Sequence, residues 1–177
     1  WRAASPMIVE FWGGQVRKHA KRWEWWHDLY GIEGAAVQAI ADPTTEYRYR
    51  DITYFMQGDV LRCRLPSGRC LSYHNPRLTP KVCHRSGLNV YALSYMGWNS
   101  DSTKGPVGWL RMDTYSGKLT ENIVQAVARD IHTHGMVNLE RAGFPVVLHT
   151  HDEPVSEIPL DSRADVAAYE RCMVDVP

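Results

Sequence analysis

Residues 117–142 constrain the fold more than any other stretch of this sequence. On a 3.6-residue period, Ile123, Val124, Val127 and Ile131 fall within about 100° of one another. Asn122, Gln125, Arg129 and His132 fall on the opposite side, within roughly 80°. The pattern predicts a long amphipathic helix, closed by Gly143, with the four apolar residues buried. Its polar stripe is made of hydrogen-bonding groups rather than a mixture of Glu and Lys, which suits a binding surface. Immediately after it, Phe144 to Leu148 reads as an apolar strand running into His149-Thr150-His151-Asp152-Glu153, and Pro154 to Ile158 leaves as a second extended segment. Two strands with acids at their junction must therefore pack beside or beyond the helix.

Earlier in the chain, Ser5-Pro6 is a good helix start and residues 6–29 read as a helix, broken at Gly31 and Gly34. Residues 35–41 suggest a short helix stopped by Asp42-Pro43. Tyr47 to Tyr54 alternates in part, and Val60–Leu65 and Cys70–Tyr73 flank Pro66-Ser67-Gly68-Arg69, a strong hairpin signal. Residues 74–88 are rich in proline and basic side chains and read as a loop. Val90–Met96 reads as a strand, 99–108 as a polar loop, and 161–174 as a last, weakly amphipathic helix. The sum is an α+β fold of one domain: a small antiparallel sheet with helices packed on one face.

The chain has 177 residues, enough to bury a real core. It contains no apolar run near the roughly 20 residues needed to cross a bilayer, so no membrane partner is expected. The formal net charge of zero does not by itself indicate nucleic acid. Basic residues are nonetheless clustered, at 17–22 and at Arg62, Arg64, Arg69, Arg77, Lys81 and Arg85, while acids gather after residue 150. The four cysteines form no CxxC pair. Cys63, Cys70, His74 and Cys83 match no common zinc spacing, so reduced thiols in a cytoplasmic protein are the expectation.

Adjacent carboxylates on a tight junction repel one another and persist readily where a divalent cation neutralises them. Asp152 and Glu153 are such a pair, and hard ions such as Mg²⁺ prefer carboxylate oxygens while keeping positions open for phosphates. The setting makes the pair specific. Thr114-Tyr115-Ser116-Gly117-Lys118-Leu119-Thr120-Glu121-Asn122-Ile123-Val124-Gln125-Ala126, followed by Val146-Val147-Leu148-His149-Thr150-His151-Asp152-Glu153, closely resembles phage-type family A (DNA polymerase I-like) DNA polymerases. There a Tyr-Gly-Gly-Lys-Leu-x-Glu-Asn-x-x-Gln-Ala segment opens a helix and a later strand ends in His-Asp-Glu. Leu65-Pro66-Ser67-Gly68-Arg69, Trp1-Arg2 and Phe11-Trp12 extend the likeness over nearly the whole chain. Ser116 departs from the usual glycine.

The resemblance implies a palm-like sheet and template-directed nucleotidyl transfer to a primer end by two metals. Asp152 would bind catalytic Mg²⁺, Glu153 would support that site, and His151 would approach the primer end. Gln125 would contact the primer–template minor groove. Asn122 and Arg129 share its stripe, and Lys118 is a candidate for phosphate contact, as is the basic 62–85 stretch. Primer–template DNA and deoxynucleoside triphosphates are the implied partners, in a bacterial host's cytoplasm if the chain is phage-encoded. The family's first metal-binding aspartate and its nucleotide-holding fingers helix have no counterpart here. The segment therefore reads as a partial palm, inactive alone, awaiting the missing fingers and palm segment of the same or another chain. Two other readings compete. One is a non-catalytic DNA-binding half of a split polymerase. The other is a metal-dependent hydrolase built from His132, His134, His149, His151 and Asp152; His132 and His134 do not share a helix face, which weakens it.

Overall fold

The computed structural model describes residues 5–13, 30–82, 89–159 and 166–175. The chain divides into two compact units, Trp1–Ile123 and Val124–Pro177. The fold is α+β, as the sequence predicts.

In the first unit, α1 (Pro6–Trp12) is followed by α2 (Gly31–Ala41) and a six-stranded antiparallel meander. Its strands are β1 (Tyr47–Tyr49), β2 (Ile52–Gln57), β3 (Val60–Arg64), β4 (Cys70–Val82), β5 (Asn89–Asn99) and β6 (Gly108–Thr114), paired in chain order. The expected 6–29 helix ends at Trp12, and residues 14–29, with the basic 17–22 run, lie outside the described residues. Gly13 and Gly31 both take positive φ, and a Cβ on Gly31 would fall 2.2 Å from the Gly13 Cα. The two backbones meet where no side chain fits. Helix α2 begins at Gly31, four residues before the expected 35–41 helix, and Ile32, Ala35, Ala36, Val37 and Ala39 are buried along it.

Side chains alternate across the sheet with period two. Ile52, Tyr54, Leu61, Cys63, Tyr73 and Leu93 line the inner face, which α2 covers, and all are buried. The start of α3 (Ser116–Arg141) joins that side, where Asn122 Nδ2 donates to Tyr73 Oη at 3.2 Å. Within this unit the helices that cover the sheet thus pack on one face.

The Pro66-Ser67-Gly68-Arg69 turn closes β3 and β4 as expected, with Gly68 at φ 83° and Leu65 N–H donating to Arg69 O at 2.8 Å. Residues 74–82, expected to be a loop, continue β4. Beyond an irregularity between His74 and Arg77, this half pairs with β5 and not with β3. Prolines are tolerated there because one edge makes no ladder hydrogen bonds. Residues 83–88 lie outside the described set. Strand β6 alternates inward Leu110, Met112 and Thr114 with outward Trp109, Arg111 and Asp113, and the outward Trp109 is the break in its polarity.

The second unit holds the rest of α3, a two-stranded antiparallel ribbon of β7 (Val146–Thr150) and β8 (Glu153–Ser156), and α4 (Val166–Val174). Gly143, at φ 85°, ends α3 as expected: Phe144 N–H returns to Leu139 O at 2.9 Å, and both side chains are buried. Phe144 also packs edge-on against Tyr169 of α4, whose hydroxyl donates to Pro154 O at 2.8 Å. The buried face read from the sequence needs correction. Ile123 is buried, but Val124 and Ile131 are 58% and 43% exposed. The helix instead buries Leu119 and Ile123 in the first unit and His132 and Leu139 in the second, sets that one periodic stripe does not join.

Candidate nucleic-acid and metal site

The acids lie where the strand–turn–strand reading puts them. Thr150 pairs with Glu153, leaving His151-Asp152 as a two-residue turn. Such turns need a positive φ at their first position, and His151 supplies it at 55°. A left-handed histidine costs on the order of 1 kcal/mol, so this turn stores modest strain at a candidate site. His151, Asp152 and Glu153 are all exposed. Among the described residues neither carboxylate has an ion-pair partner.

The hairpin is anchored through His149. Its ring meets His132 of α3 at 5.8 Å and 66°, an edge-on contact that buries His132. Because Phe144 bonds back to Leu139 while His149 reaches His132, β7 runs back along α3 toward its N-terminal end. Gln125 lies seven residues before His132, about 10 Å up the helix on the same face. The tip of the turn lies about two residues beyond His149, roughly 7 Å of extended chain. The turn is therefore directed along α3 toward its N-terminal end, where exposed Arg129 and then Gln125 follow on the same face. Register also separates the acids from the anchor: Glu153 pairs with Thr150 and faces away from the side on which His149 meets α3.

The remaining expected contacts lie in the first unit. Lys118 is exposed in the first turn of α3. Asn122 is half-buried and commits its amide nitrogen to Tyr73. In the basic stretch, Arg64 pairs with Glu46 at 2.8 Å and stacks on Phe55, while Arg62 bonds Gln57 and Ser72. Arg85 lies outside the described residues.

Two metal readings lose their geometry. No three His, Cys, Asp or Glu side chains come together to hold a metal among the described residues, so the four histidines do not converge with Asp152. In β3 and β4, Cys63 pairs with Leu71 on the inner face while Cys70 and His74 lie on the outer face. They cannot share an ion.

Two hard, exposed, uncompensated carboxylates fit an oxygen-seeking cation such as Mg²⁺, which keeps water or phosphate on its other positions. The arrangement defines a class: an α+β chain with a carboxylate turn directed along a polar helix face. Over 159 residues, 90% of this chain, the sequence is 36% identical to a DNA polymerase of Bacillus phage SP02. Those residues are 20% of that relative, so the chain spans about a fifth of its length. No protein-family model and no solved structure matches the chain.

Proposed function

We propose that the chain is the palm part of a family A, phage-type DNA-directed DNA polymerase, and that Asp152 and Glu153 hold a catalytic Mg²⁺ at the primer end. The observation that carries this reading is the turn itself: two unpaired carboxylates on a hairpin anchored by His149 to the α3 face that bears Arg129 and Gln125. The similarity to a phage DNA polymerase over 90% of the chain supports it. When bound, the ion would supply charge stabilisation to the oxygens of the transferring phosphoryl group. Asp152 and Glu153 would fix its position, His151 would face the primer terminus, and Gln125 and Arg129 would hold the duplex by its minor groove and backbone. Lys118 would add a phosphate contact, and Asn122 would keep α3 seated on Tyr73.

One carboxylate cluster does not organise two metals. The chain alone is therefore expected not to extend a primer. A longer polymerase carrying this segment should extend it with Mg²⁺ and deoxynucleoside triphosphates. There, Asp152→Asn should cut extension about 10³-fold, matching several kcal/mol of lost stabilisation, while primer–template binding persists. Extension by the isolated chain, or full activity of the variant, would overturn the reading.

A split arrangement, with this chain as the DNA-binding half completed by another, is favoured by a separate observation. Among the described residues the ribbon has two strands, and Leu148 and Val155, 59% and 47% exposed, lie on its outer face. That apolar face suits a further packed element from the same or another chain.

A further inference from the structure

The outer face of the six-stranded sheet has a composition that the carboxylate turn does not account for. Trp98 and Trp109 pair across β5 and β6 there, with ring centroids 6.3 Å apart at 83°, and each is more than half exposed. His74 of β4 meets Trp109 edge-on at 5.9 Å. Register carries the same face through Met96 and Arg111, and through Arg62 of β3. Arg111 donates to Asn75 O and Ser94 Oγ, and Arg62 to Gln57 and Ser72, so both guanidiniums are oriented by neutral acceptors and keep their charge. Arg77, opposite Ser94, lies on this side as well, against one strand carboxylate, Asp113. The tryptophan end is also held in shape: Asn99 Nδ2 donates to the carbonyls of Asp101, Gly105 and Pro106, which fixes the β5–β6 loop.

We propose that this face binds single-stranded DNA, with bases stacked on Trp98 and Trp109 and phosphates tracked by Arg62, Arg77 and Arg111. An exposed aromatic pair within a cationic sheet face is the combination that binds unpaired bases: every base has a π-face, and the guanidiniums neutralise the backbone. Tryptophan, methionine and arginine also occur at protein interfaces, but three guanidiniums beside one strand carboxylate, Asp113, favour a polyanion. A duplex already stacks its own bases and has none to offer to the rings. The surface lies in the first unit and does not depend on Asp152 or Glu153. In a polymerase it suits unpaired template.

Fluorescence anisotropy of a labelled oligothymidylate of about 20 nucleotides with the full chain tests this, at a site size that exceeds one stacking platform. Wild type should bind the single strand in preference to a blunt duplex. The double variant Trp98→Ala, Trp109→Ala should weaken binding about tenfold or more, while Trp98→Phe, Trp109→Phe retains most of it because a stacking ring remains. Arg62→Gln with Arg77→Gln should lower the salt slope by about 1.4, two phosphates' worth for a single strand. Asp152→Asn with Glu153→Gln should leave binding in place. Absence of binding by wild type, equal binding of duplex, an alanine variant that binds like wild type, or loss that follows the carboxylate variant would each overturn the proposal. Should the alanine variant lose its native circular dichroism, photocrosslinking of 5-iodouracil oligonucleotides to wild type decides instead. Crosslinks at Trp98 or Trp109 support the surface, and crosslinks confined elsewhere overturn it.

Discussion

Cys63 and Cys70 stand seven residues apart in one hairpin and have different chemistry. Cys63 is sealed beneath the sheet beside Tyr54, and burial pushes its thiol up from 9.0 to about 12. Cys70 lies on the other face and is half-exposed. Thiolate is the reactive form, so at about pH 8 Cys63 should resist iodoacetamide while Cys70 and Cys172 react. Peptide mapping by mass spectrometry reads this directly. Labelling of Cys63 should appear only on unfolding or as the pH approaches its raised value; native labelling at the rate of Cys70 would mean that the inner face opens. The sequence could show that the cysteines lack zinc spacing, but not that one of them is core. That distinction depends on register, which assigns Cys63 and Arg62 to opposite faces. Asp152 and Glu153 were legible because their turn is defined by contiguous residues. The partial commitment of Asn122 to Tyr73 depends on a residue 49 positions away and was not.

At the scale of elements, the features legible in the sequence are those fixed by local backbone chemistry: the Pro66–Arg69 turn, the end of α3 at Gly143 and the strands around His151-Asp152. The misread ones depend on packing. The start of α2 was read at residue 35 because Gly31 and Gly34 have low helix propensity, whereas close backbone packing of Gly13 on Gly31 suits glycine there. Val124 and Ile131 look like core because periodicity records hydrophobicity and not what covers it. Two glycine substitutions separate these cases. At Gly143 a Cβ would meet nothing within 4 Å, so Gly143→Ala should cost only the left-handed backbone penalty, about 1 kcal/mol by urea unfolding. At Gly13 a Cβ would fall 1.9 Å from Tyr30 O, a backbone atom that cannot swing aside. Gly13→Ala should therefore cost several-fold more, because the backbone penalty and the overlap add. Equal losses at the two sites would mean that the α1–α2 crossing relaxes freely and that the glycine contact does not set it.

On the scale of the whole molecule, apolar surface in the second unit is left uncovered in a patterned way. Val124 and Ile131 lie a heptad apart on α3, and Val147, Leu148 and Val155 crowd the ribbon; each is more than 40% exposed. A two-stranded ribbon is marginal in water, and its unpaired edges template further strand addition. The same exposed apolar side chains that would pack against a further element make the surface adhesive where none covers it. The chain should therefore self-associate as concentration rises, read as a shift in sedimentation velocity. Leu148→Thr with Val155→Thr keeps strand-forming side chains while removing the apolar face, and should restore the slower monomer boundary. Because both side chains are exposed, stability should change by no more than about 0.5 kcal/mol, so loss of association would not reflect unfolding. Association that persists unchanged in the threonine variant would transfer the adhesive surface to Val124 and Ile131 of α3. An unassociated wild-type chain would mean that the ribbon satisfies its edges without a partner, removing the main structural argument for a split or completed palm.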